Sequence, residues 1–351
     1  MLQPTDRSTS RTAFDVRRRR WLGWMAGGGL ALAGLAAVPE ARVFAQQVQD
    51  FIEGPPMPDI APRQLSPHVW MIYAKDGFPN QENQGMMANI VFVVTSKGVV
   101  VLDSGASLQI GQMAIRMIGR VTPLPVVAVF NSHYHGDHWL GNHAFVEAYG
   151  QDLPIYALAH TREQIAGHEG NLWRSLMERW TNQATLGTRV VAPNQTVTHG
   201  QTLTFGDVTL RMHHYGRAHT PSDLCVQVVQ DGVTYVGDIA MENRIANIDD
   251  GSYPGTFKYY EALQQAAGGQ LWVPGHGHAR KDLLDTYGSF LSGIWEACVQ
   301  AVRDGVPLEG AKALVLKEPR VAARAATMDG FDSNIGKYTS LAYLEAEKEA
   351  F

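Results

Sequence analysis

A chain of 351 residues, 45% of them hydrophobic, has material for one large domain or two small ones. Its formal charge of −5 is unevenly spread, because residues 1–45 hold seven arginines against Asp6, Asp15 and Glu40, a net of +4, which leaves −9 on the remainder. A body that acidic lacks the basic face that attraction to phosphate needs, which argues against a nucleic-acid partner.

Residues 1–45 read as an export signal outside the fold. Four arginines, Arg17 to Arg20, lead into Trp21-Leu22 and an apolar run that ends near Val38 and contains Gly23, Gly27, Gly28, Gly29 and Gly34. The run is too short and glycine-rich for a membrane span, which wants about 20 mainly apolar residues. Val43-Phe44-Ala45 offers small residues around a cleavage point before Gln46, and Arg-Arg-x-Trp-Leu resembles a twin-arginine signal, with Asp15 and Val16 where Ser or Thr is usual. The expectation is a periplasmic protein that meets the membrane only during export, with a retained N-terminal anchor as the alternative. Residues 46–66 are rich in Pro and polar residues and read as an extended arm.

Three strands are expected next: His68 to Ala74, Asn89 to Thr95 and Gly98 to Asp103, with Ser96-Lys97 as the turn between the last two. Lys75 to Met87 is a polar loop carrying Phe78, Met86 and Met87. After the Asp103-Ser104-Gly105 turn, Ala106 to Val121 shows helical spacing through Leu108, Met113, Ile115 and Ile118. Val126 to Val129 (VVAV) then reads as a buried strand, ending in Asn131-Ser132 and delivering His133, His135, Asp137 and His138 within six residues. Residues two apart in extended chain point the same way, so His133 and His135 can grip one cation together. Gly136 lets the chain turn, and Asp137-His138 open a helix aimed at a second cation. Imidazole nitrogen at about 2.0–2.1 Å and carboxylate oxygen at about 2.0–2.2 Å suit zinc.

The run His133-x-His135-x-Asp137-His138 resembles HxHxDH, the signature of the metallo-β-lactamase fold superfamily. The resemblance spans roughly residues 66–290. It implies a four-layer αββα sandwich of α/β (α+β) class. In such a fold the loop at 75–87 leans over the metal site, the alternative being a surface loop with incidental apolar residues, and Asp103, in a DTG-like turn, hydrogen-bonds around the metal loop without binding metal.

Beyond the motif, a helix is expected over Trp139 to Tyr149, a strand over Pro154 to Ala159 and a helical excursion over His160 to Thr181. There, Leu172, Leu176 and Trp180 at four-residue spacing read as a buried stripe; the alternative has Trp173, Met177 and Trp180 lining a substrate pocket. His143, His160 and His168 read as structural or exposed. Short strands follow at Thr202 to Phe205, Val208 to His213, Leu224 to Val229 and Val233 to Val236. Cys225 falls within one of them and Cys298 within a helical run, so both read as core residues; a single disulfide between them stays open, and nothing in the spacing predicts one.

The resemblance supplies three further positions: His219 in GRAHTPSD, Asp238 in VGD and His276 in WVPGHG after a strand at Leu271 to Val273. It implies a first zinc on His133, His135 and His219, and a second on Asp137, His138 and His276, with Asp238 bridging. Two such ions about 3.5–4 Å apart would hold a bridging hydroxide as nucleophile, with Asp137 orienting it. The implied activity is a dinuclear zinc hydrolase of an ester, thioester or amide/lactam carbonyl of a small molecule.

A periplasmic class B β-lactamase of the all-histidine kind is the alternative, mildly weakened by Asp238, which is also the pattern of hydroxyacylglutathione hydrolases. The motif's context is similar to exported zinc metallohydrolases associated with quinoprotein relay systems. A non-catalytic metal-binding accessory protein for such a system is the third reading.

The expected domain layout is signal 1–45, arm 46–66, catalytic domain 67–290 and helices 291–351 packed on the same domain. Helical patterns run through Leu283 to Val302, Leu308 to Leu316 and Gly336 to Phe351, and His278 reads as exposed or as a neighbour of the ligands.

Overall fold

The computed structural model describes residues 52–75, 77–245, 248–268 and 270–350. The chain divides into two units, Met1–Ile52 and Glu53–Phe351. The export signal expected over 1–45 and the first part of the arm, 46–51, lie outside the described residues.

Two sheets carry the second unit. The first runs in the order β1 (Arg63–Gln64), β2 (Val69–Ile72), β3 (Ile90–Thr95), β4 (Gly98–Leu102), β5 (Val126–Phe130), β6 (Ile155–Ala157), β7 (Gln195–Thr196). It is antiparallel from β1 to β4 and parallel from β4 to β7. The second runs β12 (Leu271–Pro274), β11 (Val233–Gly237), β10 (Cys225–Val228), β9 (Val208–His213), β8 (Thr202–Phe205), with only β11 and β12 parallel.

The continuous apolar runs form strands because both faces of each central strand are buried. Along β3, Ile90 and Phe92 join the core under the helices, while Val91 and Val93 join the core between the sheets. Strand β4 divides the same way, Val99 and Val101 outward and Val100 and Leu102 inward. On the second sheet, Val226, Val228, Val233 and Tyr235 meet the inter-sheet core, whereas Cys225, Val236 and Trp272 face the other helical layer. Three cores between four layers make an αββα sandwich.

The helices on the first sheet include α1 (Leu108–Val121), capped by the Ser107 hydroxyl, and α3 (Asn142–Tyr149), which follows the single turn α2 (Gly136–Trp139). The excursion after β6 is two helices, α4 (Ala159–Ala166) and α5 (His168–Trp180), broken at Gly167. The outer layer on the second sheet is built from α6 (Tyr253–Ala267), α7 (Leu283–Arg303), α8 (Leu308–Lys317), α9 (Pro319–Ala325) and α10 (Phe331–Ala350). No described helix is long and apolar enough to cross a membrane.

At Asp59 the arm meets α1, where the carboxylate pairs with Arg116 at 2.9 Å and Arg120 at 2.6 Å. Further on, the buried Asp231 carboxylate accepts from the Ser66 hydroxyl, from His68 N at 2.9 Å and from His68 Nδ1 at 2.7 Å, which ties the entry of β2 to the second sheet.

Several expectations need correction. The stripe Leu172–Leu176–Trp180 is not buried: Leu172 is 38% exposed, and only Met177 on this side of α5 is in the core. Strands β1 and β7, with two residues each, carry no periodicity to detect. Helices α6 and α9 were not anticipated, although Ser252 and Glu318 cap them with Pro in the first turn. Cys225 and Cys298 are buried, as expected of core residues, and both are free.

Candidate metal centre

Every ligand candidate sits just past the end of a strand or on the turn joining two, so that the sheet edges bring them to one rim. His133 and His135 follow β5, and α2 carries Asp137 and His138. His219 lies between β9 and β10, Asp238 follows β11 and His276 follows β12. All seven are buried, from His138 at 0% to His135 at 6% exposure.

Their donor atoms group as His133/His135/His219, Asp137/His138/His276, and His133/His138/Asp238, each within 4.8 Å. His219 Nε2 is 3.0 Å from His135 Nδ1. Asp137 Oδ2 is 3.4 Å from His138 Nε2 and 3.3 Å from His276 Nε2. Asp238 stands between the groups: one oxygen is 3.4 Å from His138 Nε2, the other 3.2 Å from His276 Nε2 and 3.7 Å from His219 Nε2. Ligand atoms on a tetrahedron with metal bonds of about 2.0–2.1 Å lie ~3.3 Å apart, so these spacings suit cations held between them.

The surroundings fix which ring nitrogens face inward. Asp103 accepts from Ser132 N (2.7 Å), Ser132 Oγ (2.6 Å), Tyr235 OH (2.6 Å) and His138 Nδ1 (2.8 Å). Because Ser132 Oγ spends its proton on Asp103, it accepts from His133 Nδ1 at 2.9 Å. The Met87 carbonyl can only accept, so His276 Nδ1 donates to it at 2.7 Å. The Nε2 atoms of His133, His138 and His276 are thereby left facing the cluster. His133 Nε2, His138 Nε2 and Asp238 Oδ1 are buried with no hydrogen-bond partner among the described residues. Such atoms are costly unless something binds them. The residues fit bound metal on this ground.

Asp103 meets its four donors from a left-handed backbone conformation, φ +57°, uncommon for a non-glycine residue and paid in local strain.

The electrostatics divide the cluster. Burial, with His138 and His135 nearby, holds His133 well below the usual imidazole range, and burial with His135 nearby brings His219 down to about 3. Burial likewise lowers His135. These rings are neutral, as ligands must be. Burial works against ionising Asp137 and Asp238, yet His138 and His276 hold both carboxyls well below their usual range. Burial also disfavours protonated His138 and His276, but the carboxylates win: Asp238, Asp137 and Asp103 raise His138, and Asp238 raises His276 to about 9 against the opposing charge of Arg244. Cations bound here would take over the role of those protons.

A cavity of about 420 Å³ opens over the cluster, with His135, Asp137, His219, Asp238 and His276 in its floor. Phe78, Pro79, Leu172, Trp173, Leu176 and Trp180 form an apolar wall. Trp173 ring lies 5.1 Å from that of His135, and Phe78 meets Trp180 edge-on at 5.0 Å. Thus the loop at 75–87 does lean over the site, and Trp173 and Trp180 line the cavity while Met177 does not. His278 lies outside the cluster, half-exposed against Glu242 and Tyr73. His143 bonds Arg189 Nε at 2.7 Å, and His168 is exposed.

Sequence reasoning missed several supports. Tyr235 looks like any strand aromatic, and the Met87 carbonyl has no side-chain signal. Asp223, four residues after His219, accepts from Thr220 N and Thr220 Oγ1 and so folds the turn that presents His219. Gly275 leaves no room for a side chain, since a Cβ there would lie 2.2 Å from Asp238 Oδ1 and 2.8 Å from His138 Cε1.

A family model described as the metallo-β-lactamase superfamily matches residues 84–287. Among solved structures, the chain is similar to a metallo-β-lactamase from Pontibacter korlensis, with TM-score 0.52 and 19% identity over 64% of this chain and 94% of that one. The DIM-1 metallo-β-lactamase, in a structure exposed to ceftazidime, matches at TM-score 0.52 and 13% identity over 67% and 97%. The inverting sec-alkylsulfatase Pisa1 from Pseudomonas sp. matches at TM-score 0.64 and 16% identity, over 82% of this chain and 50% of that one. At these identities the structural likenesses speak for the fold.

Proposed function

The chain belongs to the metallo-β-lactamase superfamily, and from that premise we propose that it is an exported hydrolase that uses two zinc ions to cleave an ester, thioester or amide/lactam carbonyl of a small molecule. The observation that carries this reading is the set of buried His133 Nε2, His138 Nε2 and Asp238 Oδ1, none with a hydrogen-bond partner among the described residues, in a cluster whose Asp238 lines an open cavity. His133, His135 and His219 would hold one ion, and Asp137, His138 and His276 the other, with Asp238 between them. When bound, the ions supply Lewis acidity for the carbonyl and lower the pKa of a water towards neutrality.

The protein's own residues do the rest. Asp103 and the Met87 carbonyl fix the rings of His138 and His276, so the floor is held in place before substrate arrives. Asp137, which faces the cavity, is placed to accept a hydrogen bond from the attacking water and to aim it. Trp173, Leu176 and Trp180 keep bulk water from the apolar side of the substrate.

The test is hydrolysis of nitrocefin and of a panel of thioesters and esters by the zinc-loaded protein, with a chelator control and a zinc count. Turnover of the thioesters or esters, lost on chelation, supports the proposal. Nitrocefin turnover at ordinary enzyme rates, roughly 1–1000 per second, moves the substrate to β-lactams, the reading favoured by the all-histidine trio. Two bound zinc ions with no turnover of any carbonyl would favour the accessory role in a quinoprotein system.

A further inference from the structure

One face of α5 looks into the cavity over the metal cluster. Glu169, Leu172, Trp173, Leu176 and Trp180 all line it, and spacings of three and four residues put them on one stripe of the helix. A stripe of this kind is ordinarily covered by the protein's own core, but here Leu172 is 38% exposed and Leu176 and Trp180 are half-buried. Its far end continues onto Phe78, 61% exposed, which meets Trp180 edge-on at 5.0 Å. Nearer the metal floor, the Trp173 ring lies 5.1 Å from that of His135. Trp180 follows Trp173 by seven positions, so the apolar wall runs for ~10 Å at about 1.5 Å per residue. Glu169, one turn before Trp173, ends the stripe on the other side with a carboxylate. Beyond the stripe the lining is mostly polar and carries both signs: Asp250 accepts from Tyr134 OH at 2.9 Å, and Lys337 of α10 pairs with Asp249 at 3.1 Å.

We infer that the acyl part of the substrate is an extended aliphatic chain lying along this stripe, from a carbonyl beside Trp173 out past Leu176 to Trp180 and Phe78, with a polar leaving group on the side of Glu169. The inference rests on the hydrolase reading in placing the carbonyl over the metal floor. Apolar surface left open within a polar rim marks a binding site, and a group that removes it from water is bound favourably. Length selects the chain. A single aromatic ring covers about one turn of α5, ~5.4 Å, and leaves the outer half of the wall bare. Charge selects the direction, because an apolar chain laid over Glu169 would strip water from its carboxylate and give nothing in exchange. A polar leaving group there keeps it hydrogen-bonded.

The experiment is calorimetric binding of straight-chain hydroxamates, from acetohydroxamate to decanohydroxamate, to the zinc-loaded full chain, with zinc content and melting temperature recorded. The metal-gripping head is the same in every member, so the slope of affinity against chain length reads the wall alone. In the wild type affinity is expected to rise about fourfold per methylene, the fold-change of burying one CH2, and octanohydroxamate should bind more tightly than benzohydroxamate. Leu176→Asn should bring the slope down to about twofold or less per methylene. Phe78→Ser should keep the early steps steep and flatten only the last ones, because Phe78 stands at the far end of the wall. A flat series in the wild type, tighter binding of benzohydroxamate, or a slope unchanged in either variant overturns the inference. Should Leu176→Asn not fold, Phe78→Ser, at an exposed side chain, decides by itself through the length at which its slope breaks. Binding is read without turnover. A steep, Leu176-dependent slope in a protein that hydrolyses no carbonyl would therefore overturn the proposed reaction and leave the chain site standing, whereas a flat slope in a protein that turns over esters would overturn this inference alone.

Discussion

Gly275→Ala is the sharpest test of how the metal centre is built. The added methyl would lie 2.2 Å from Asp238 Oδ1 and 2.8 Å from His138 Cε1. An ordinary carbon–oxygen contact is at least ~3.2 Å, so Asp238 must retreat by about 1 Å. The backbone cannot yield instead, because Gly275 N donates to Gly237 O at 2.8 Å and Gly275 O accepts from Asn89 N at 2.7 Å. Overpacking of this kind costs about 1–3 kcal/mol in stability. The larger effect is on metal, since misplacing the side chain that stands between both ligand groups is worth at least the ~10–100-fold that neighbouring supports contribute to affinity. Zinc affinity by chelator competition, read beside the melting temperature of the chelated protein, separates the two effects. Gly119→Ala in α1, where nothing among the described residues lies within 4 Å of the added carbon, should gain up to ~1 kcal/mol from helix propensity and keep zinc unchanged. A Gly275→Ala protein that holds two zinc ions within threefold of the wild-type affinity would refute the reasoning.

Tyr235→Phe removes a buried donor to Asp103 and should cost about 1–3 kcal/mol by thermal or urea melting, with zinc affinity falling because Asp103 orients His138; equal zinc affinity would disconnect the two. Asp231→Ala removes the acceptor of three donors that tie β2 to the second sheet and should cost about 2–4 kcal/mol at pH 7. Burial alone would raise this carboxyl, but Ser66 and His68 hold it below its usual range. Its stabilisation is therefore present above the unfolded pKa of about 3.9 and lost as pH falls through the folded value, so the gap between wild type and variant should close in acid and not in base. Replacing Arg18 and Arg19 by lysine should leave the protein in the cytoplasm at its unprocessed mass in cell fractionation; unchanged export would remove the twin-arginine expectation.

What the sequence determined is local. The run from His133 to His138 follows a strand whose apolar pattern is visible in the chain itself, and its spacing of ligand types is a property of neighbouring residues. The turns holding His219, Asp238 and His276 were legible by resemblance, because each keeps a short motif at a strand end. The layers were legible in the same way, as continuous apolar strands need cover on both faces. Tertiary structure alone decided the rest. Tyr235 and Asp103 are 132 positions apart, yet they share one hydrogen bond. Leu172 and Leu176 have the period of a core stripe, but α5 turns them to the cavity, and periodicity marks only that a face is apolar, not whether protein or substrate covers it.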